Sequence, residues 1–221
     1  MLIEIPGKRA YGSSFIAREI TRSHIYRRVI LLLVRKFGRR FTAAMGAPKD
    51  AVRVRAAVRE DVPEILEIYN DAVLTTTATY DYEPRSLDHR MAWYEDHVLN
   101  NLPVFVAAED GRTVGWSSLS RYHDRKGYRF TCENSIYIAP THRGKGIGSL
   151  LLAPLIERAE KLGMHAIIAV IDASNESSLR LHAKFGFVQV GYFKQVGYKF
   201  DRWLDVIYME RIIEIRSSAQ L

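Results

Sequence analysis

Residues 135–150 combine a strand, a glycine-rich loop and the beginning of a helix, in that order. The β-branched and aromatic run Ser135–Ala139 predicts a strand that ends at Pro140. Arg-Gly-Lys-Gly-Ile-Gly follows at 143–148 and leads into an apolar, periodic segment that predicts a helix. The N–H groups at a helix N-terminus are unpaired, and glycines let an anion approach them closely. The segment therefore predicts an anion-binding site, to which Arg143 and Lys145 add positive charge.

The spacing of the glycines separates this loop from two common phosphate-binding loops. It is not the dinucleotide fingerprint of a Rossmann fold, because the second gap between glycines is too short. It is not a Walker A loop, because no Gly-Lys-Ser or Gly-Lys-Thr triplet closes it. From the loop alone, an ordinary glycine-rich surface turn stays open as the alternative.

The chain has 221 residues, of which 48% are hydrophobic, enough for one large domain or for one domain with an appendage. Cys132 is the single cysteine, so an intramolecular disulfide is excluded and a reducing, cytoplasmic location is expected. No apolar run approaches the ~18 residues that indicate a transmembrane helix. We therefore expect no transmembrane segment.

Positive charge is concentrated in the first fifty residues, which have a net charge of +8, whereas residues 51–221 have a net charge of −1. The folded part thus gives no electrostatic support for nucleic-acid binding. Residues 1–50 are interpreted as a basic extension, either poorly ordered or with a short amphipathic helix within 22–40. A targeting or membrane-surface role and upstream translation before a true start at Met45 both stay open. We expect the domain to span 51–215, followed by a tail at 216–221.

From residue 51 onward, the hydrophobic periodicity predicts a mixed α/β domain. Alternating or continuous apolar runs predict strands, and apolar faces with capping residues predict helices. The predicted strands are 52–56, 104–108, 113–120, 128–138, 166–171, 187–193 and 203–211. The predicted helices are one with Asp61 as its N-cap, and 86–100, 146–162 and 175–185.

This order of elements resembles the fold of the GNAT superfamily, and the loop matches its Arg-x-x-Gly-x-Gly signature through Arg143, Gly146 and Gly148. Further motifs resemble the phosphinothricin and methionine sulfoximine N-acetyltransferases within that superfamily: Asn70–Val73, Tyr80–Ser86, Gly115–Leu119, Asn175–His182 and Val196–Asp205. The resemblance covers about residues 52–211. It implies a central, mostly antiparallel sheet that is splayed at the acetyl-CoA site and flanked by helices.

The resemblance also implies a cofactor, acetyl-CoA as co-substrate, and a loop that grips its pyrophosphate. Asn175 is expected both to cap a helix and to hydrogen-bond the coenzyme. A backbone N–H near Ile138 would face the thioester oxygen, where such a donor is worth roughly 2.7–4 kcal/mol. The expected coenzyme-binding residues are Ile136, Tyr137, Ile138, Arg143, Gly144, Lys145, Gly146, Ile147, Gly148, Ser149 and Asn175.

Two side chains are expected to be catalytic. Glu133 stands at the family's catalytic glutamate position, where a carboxylate can accept the proton of an ammonium substrate directly or through water. A salt-bridging glutamate at a strand edge is the alternative. His182 stands where most of the superfamily has a tyrosine, and an imidazole suits proton transfer or pairing with Glu133. Whether His182 is base, acid or positioning group stays open.

The resemblance places the amino-acid substrate near Tyr80, Trp116, Arg125, Tyr128 and Tyr137. An arginine fork suits a carboxylate or phosphinate. Ordinary surface arginine and core aromatics are the alternative. Where relatives often have another basic residue, this chain has His123, which puts a second anion contact in doubt.

Cys132 neighbours Glu133 but faces the opposite side of its strand, so we expect a core residue rather than a nucleophile. Histidines and carboxylates are too scattered in the sequence for a metal site. The expected function is N-acetylation of a small amino-acid-like substrate by a cytoplasmic homodimer. Acetylation of protein N-termini or of another small amine, and a non-catalytic acyl-CoA-binding module, are the alternatives.

Overall fold

The computed structural model describes residues 51–214, so the expectations for 1–50 and 216–221 lie outside the described residues. Seven strands form one sheet in the order β1-β2-β3-β4-β5-β7-β6. The strands are β1 (Arg53–Ala56), β2 (Val104–Glu109), β3 (Arg112–Arg121), β4 (Thr131–Ile138), β5 (Ala166–Asp172), β6 (Val188–Lys199) and β7 (Arg202–Ile212). The helices are α1 (Val62–Thr75), α2 (Leu87–Leu99), α3 (Ile147–Lys161) and α4 (Glu176–Lys184).

The sheet is opened between its two central strands. Every neighbouring pair is antiparallel except β4 and β5, which run parallel. Their pairing extends only from Thr131–Ala166 to Glu133–Ile168, although both strands continue beyond it. This confirms the expected mixed fold with a splayed, mostly antiparallel sheet.

Helices cover both faces of the sheet. On one face, Ile65 and Ile68 of α1 pack with Val106 and Trp116. On the other, a larger cluster brings α3 against β3, β5 and β7 through Leu119, Leu152, Leu155, Ile167 and Met209. Alternate residues of β3 thus enter different clusters, as a strand buried on both faces requires. No helix within 51–214 is long and apolar enough to cross a membrane.

Two strand boundaries differ from the sequence expectation. Residues Lys126–Tyr128 form a short 3₁₀ turn instead of the start of β4, because the N–H of Tyr128 bonds the Arg125 carbonyl at 2.9 Å. Strand β6 continues to Lys199 rather than ending at Phe193. A register shift between Phe193 and Gly197 breaks the alternation there, so the sequence pattern hides the continuation.

One predicted helix cap is wrong in its geometry. The Asp61 side chain makes no capping bond to α1. Its carboxylate instead accepts the backbone N–H of Val58 at 2.8 Å and pairs with Arg55 at 2.6 Å. A 3₁₀ turn at Arg59–Asp61 precedes α1, so Asp61 closes that turn and ties it to β1.

Candidate active site

The gap between β4 and β5 exposes backbone groups of β4. In an antiparallel pair, alternate residues direct their N–H and C=O groups to the partner strand. Ala139 donates to Val114 of β3 at 3.0 Å, so the odd-numbered residues of β4 bond β3. The backbone groups of Asn134, Ile136 and Ile138 therefore point towards β5, where the pairing has ended.

A cavity of about 310 Å³, here called the splay cavity, fills the gap. Its walls are residues 133–137 of β4, residues 169–172 of β5, the segment 77–80 and the side of α4 that carries His182. Because it lies within the gap, it is reached by side chains from both faces of the sheet. Glu133 enters it together with Ser135 and Tyr137, whereas Asn134 and His182 enter it from the α4 side.

A second cavity of about 610 Å³, here called the loop cavity, continues from the splay cavity to the N-terminus of α3. The two cavities share Thr77, Ala78, Ile136, Tyr137, Asn175 and Ser178. The glycine loop forms its far end through Arg143, Gly144, Gly146, Gly148 and Ser149. The two cavities thus form a path from the N-terminus of α3 to Glu133.

The glycines of the loop are required for two different reasons. Gly144 and Gly146 have φ angles of +75° and +81°, which L side chains rarely adopt. Gly148 has an ordinary helical conformation, but a Cβ there would lie 2.9 Å from Leu181 of α4. Gly148 therefore lets α3 and α4 approach each other beside the cavity.

The cations of the loop have different positions. Arg143 lines the loop cavity, and its Nε donates to the Ile138 carbonyl at 3.1 Å. Its guanidinium also lies 3.7 Å from the Asp71 carboxylate and is about half exposed. Lys145 does not line either cavity, and Ile147 is a core residue that is only 2% exposed. Arg143 is thus the cation of the loop that lines the loop cavity.

Asn175 performs the predicted capping role and lines both cavities. Its Oδ1 accepts the Ser178 N–H at 3.1 Å and the Ser177 hydroxyl at 2.9 Å. The cap uses the amide oxygen and leaves the amide nitrogen for a ligand.

Glu133 is a carboxylate held in a largely buried position. Burial raises its pKa, and the positive charge of the nearby His123 acts in the opposite direction. Burial raises the pKa of Tyr208 on β7, and the charges of Tyr122 and Glu133 raise it further. A carboxylate with a raised pKa is better suited to accept a proton than an exposed one.

His182 is 4% exposed, and both of its ring nitrogens have partners. Nδ1 lies 2.8 Å from the Ser178 carbonyl, and Nε2 lies 2.9 Å from Nδ2 of Asn134. Burial lowers the pKa of the imidazole. Residues 133 and 134 point to opposite faces of β4, so His182 pairs with Asn134 and the alternative of a pair with Glu133 is wrong.

The predicted substrate residues occupy three kinds of position. Tyr80 and Tyr137 line the splay cavity, and burial, followed by the charge of Asp172, raises the pKa of Tyr80 to about 12. Trp116 is 2% exposed and stacks behind Tyr137 at 4.8 Å, so any effect on a ligand passes through Tyr137. Arg125 and Tyr128 line neither cavity. Their contact with a substrate stays a prediction.

Sequence reasoning missed a clamp on the segment 76–80, which borders both cavities. Lys199 is 2% exposed, and its ammonium donates to the carbonyls of Thr76 at 2.9 Å and Thr79 at 2.7 Å. The ring of Tyr80 packs against Gly197 on the same hairpin. The motif Val196–Asp205 contained these residues, but no local pattern indicated their partners more than a hundred positions away.

The loop cavity fits a coenzyme with a diphosphate and an amide-bearing arm. A helix start with open glycines suits the diphosphate, and the backbone groups of Ile136 and the N–H of Ile138, which point away from β3, suit the amides. The Glu133 carboxylate then lies at the inner end of the path, near the end of a bound coenzyme arm. Within 51–214, no cluster of three or more histidines, cysteines or carboxylates forms a metal site.

A sheet opened between two parallel strands, with a glycine loop at one end of the gap and a carboxylate at the other, is typical of acetyltransferases that use a coenzyme thioester. The chain belongs to the acetyltransferase (GNAT) family, which it matches over residues 63–187. An L-methionine sulfoximine/L-methionine sulfone acetyltransferase of Salmonella typhimurium is 41% identical over 157 residues, which cover 71% of this chain and 92% of that protein.

Solved structures agree with this assignment. A phosphinothricin acetyltransferase from Sinorhizobium meliloti in complex with acetyl-CoA is 38% identical, with a TM-score of 0.73 over 76% of this chain and 92% of that one. A ribosomal-protein-alanine N-acetyltransferase from Brucella melitensis is 42% identical, with a TM-score of 0.71 over 73% and 99%.

Proposed function

We propose that the protein transfers the acetyl group of acetyl-CoA to the amino group of a small amino-acid-like substrate of the phosphinothricin or methionine sulfoximine type. The observation that carries the proposal is the continuous path from the glycine loop to Glu133. The names of the relatives support the substrate class.

Different residues of the chain bind different parts of acetyl-CoA, which supplies an acetyl group activated as a thioester. The glycine loop, the N-terminus of α3 and Arg143 receive the diphosphate. The backbone groups of Ile136 and the N–H of Ile138 bond the pantetheine arm, and Asn175 contributes its free amide nitrogen.

Glu133 accepts the proton of the substrate ammonium, which must become a neutral amine before it attacks. The carboxylate is effective only when ionised, so activity rises as pH increases through its raised pKa. Its position in the splay cavity, at the end of the loop cavity, supports this role.

The dimensions of the splay cavity support a compact substrate. A volume of about 310 Å³ suits a free amino acid, and Tyr80 and Tyr137 supply aromatic walls. A second candidate is the N-terminus of a protein. It is favoured by the 42% identity to a structure named as a ribosomal-protein-alanine N-acetyltransferase.

The test is a thiol-release screen with acetyl-CoA and single amines. The panel contains phosphinothricin, methionine sulfoximine, methionine sulfone, common amino acids and an alanine-initiated peptide. We expect release with the glutamate analogues and sulfur analogues, and little with the peptide. Turnover of the peptide alone would overturn the proposed substrate class in favour of the second candidate.

Glu133→Gln tests the assignment of the base. General-base assistance is typically worth ~10²–10⁴-fold, so kcat should fall by about that factor. Acetyl-CoA affinity should stay near the wild-type value, because the change is nearly isosteric. Glu157→Gln, at an exposed position of α3, is the matched control. A Glu133→Gln enzyme with wild-type kcat from pH 6 to 9 would remove Glu133 from the mechanism.

We also propose a cytoplasmic homodimer whose subunits meet along β6. The proposal is supported by the edge position of β6, next to which the exposed apolar side chains are concentrated. Apolar groups on both faces of an edge strand suit a two-fold pairing with a second copy. These side chains are Val188, Val190, Tyr192, Phe193, Val196, Tyr198, Phe200 and Trp203.

The oligomeric state can be measured by light scattering after gel filtration. The wild-type protein should elute as a dimer, and Val190→Lys together with Val196→Lys should produce monomers. A monomeric wild-type protein at micromolar concentration would contradict the dimer. The single cysteine, Cys132, is fully buried, which supports the cytoplasmic location because no disulfide depends on an oxidising compartment.

A further inference from the structure

Asn134 lines the splay cavity, and only one of the two polar atoms of its side-chain amide has a hydrogen-bond partner. The residue is 7% exposed. Its amide nitrogen lies 2.9 Å from Nε2 of His182, whereas its Oδ1 is buried and has no hydrogen-bond partner. A buried amide oxygen without a partner is costly, since it loses its bonds to water and gains none.

The partners of His182 fix which of its nitrogens carries the proton. Nδ1 faces the Ser178 carbonyl at 2.8 Å, and a carbonyl can only accept, so Nδ1 bears the hydrogen. A neutral ring then has a lone pair at Nε2, which must receive a donor. Asn134 must therefore present its NH₂ group to His182, which leaves its oxygen without a partner beside the cavity that both residues line.

We propose that Asn134 is a positioning residue of the acetyl-transfer site: its amide nitrogen holds His182, and its amide oxygen receives an N–H of the bound ligand. This inference rests on the proposed function. The N–H comes either from the coenzyme's amide-bearing arm or from the amine of the acceptor. In either case, His182 has both nitrogens occupied and takes no proton from the substrate.

The tautomer of His182 is the first measurement, because it needs neither turnover nor a variant of Asn134. Nitrogen-15 NMR of histidine-labelled protein distinguishes the two neutral tautomers and the imidazolium, and His182→Gln identifies the signal. We expect a neutral ring with the proton on Nδ1. A proton on Nε2 in the neutral wild-type ring would overturn the proposal, because the Asn134 oxygen would then be used by His182.

Two variants of Asn134 separate its two contacts. Asn134→Asp retains the size but replaces the donor to Nε2 by a carboxylate, so His182 should become an imidazolium. Asn134→Leu removes both the donor to Nε2 and the oxygen, so its loss beyond that of Asn134→Asp reports the oxygen. The loss of one neutral hydrogen bond should weaken ligand binding about 2- to 13-fold.

Calorimetry and steady-state kinetics identify the source of the N–H. A larger Kd for acetyl-CoA in Asn134→Leu assigns it to the coenzyme, whereas a larger KM for the amine with unchanged Kd assigns it to the acceptor. Unchanged Kd and KM would overturn the proposal. Since the tautomer and the Kd need no acceptor, they keep their meaning even if the proposed substrate class fails.

Cys132→Ala is the matched control. Cys132 is fully buried on the same face of β4, two residues before Asn134, but it lines neither cavity. This variant should lower stability without altering the His182 tautomer, the Kd or the KM. The same changes in both variants would mean that Asn134 acts only through packing.

Discussion

Replacing Gly197 by alanine should change the shape of the splay cavity, although Gly197 lies on β6 and does not line that cavity. A Cβ at this position would lie 2.3 Å from Cε2, 2.8 Å from Cδ2 and 3.0 Å from Cζ of Tyr80. Carbon atoms in contact prefer about 3.5–4.0 Å, so the ring or the hairpin must move by about 1.2 Å. Because Tyr80 has the hairpin on one side and the splay cavity on another, a displaced ring enters the cavity.

The magnitude follows from the energy of overpacking, which is typically about 1–3 kcal/mol. If the substrate must push the displaced ring back, the KM of the amine should rise about 5- to 150-fold. If the strain instead stays in the unliganded fold, each kcal/mol should lower Tm by about 2–4 °C. The Kd of acetyl-CoA should change little, because Tyr80 does not line the loop cavity.

The assay compares Gly197→Ala with Gly191→Ala on the same strand. A Cβ at Gly191 would lie 3.5 Å from Cβ of Tyr208, an ordinary contact. Gly191→Ala should therefore keep the wild-type KM, and Tyr80→Leu in the Gly197→Ala background should recover part of the loss. Equal effects of the two alanine variants, or a wild-type KM in Gly197→Ala, would refute the steric reasoning.

Three further changes test other parts of the site. Gly146→Ala and Gly163→Ala both place a side chain at positive φ in open space, so each should lower the unfolding free energy by about 1–2 kcal/mol. Calorimetry should show weaker acetyl-CoA binding only for Gly146→Ala, because Gly163 lies outside the loop cavity. His123→Gln removes a positive charge that lowers the pKa of Glu133, so the acidic limb of the kcat/KM profile should move to higher pH; an unchanged limb contradicts this coupling, and His89→Gln is the exposed control. A chain that begins at Met45 should keep the Tm and turnover of the full chain, and loss of folding would show that the preceding segment is needed.

Features that depend on neighbouring residues could be predicted from the sequence. The serine at 86 caps α2 by accepting the His89 N–H at 3.2 Å, and Asn175 caps α4 in the same way. The glycine loop and the start of α3 are also local, since backbone conformation and helix termini require particular residue types. Strand alternation correctly placed Cys132 in the core, away from Glu133.

Features that depend on distant partners could not be predicted. Asn134 is an unremarkable polar residue in a strand until α4 brings His182 to its amide. Lys199 lies in a hairpin and acquires its role only when the segment 76–80 packs beneath it. Trp116 was expected to line the pocket, but it stacks behind Tyr137, which lines the cavity instead. The sequence does not reveal which of two stacked rings faces a cavity.

The opened sheet has a consequence for how its polar edges are used. Within the described residues, the sheet has outer edges at β1 and β6 and two further edges inside, where β4 and β5 separate. An edge strand is a template for any chain with free N–H and C=O groups, which makes it an aggregation hazard on a protein surface. Here the two inner edges face the splay cavity, whose other walls are α4 and the segment 77–80. Backbone groups that a fold ordinarily has to shield thus lie at the wall of a cavity, where a ligand with amide groups can bond them.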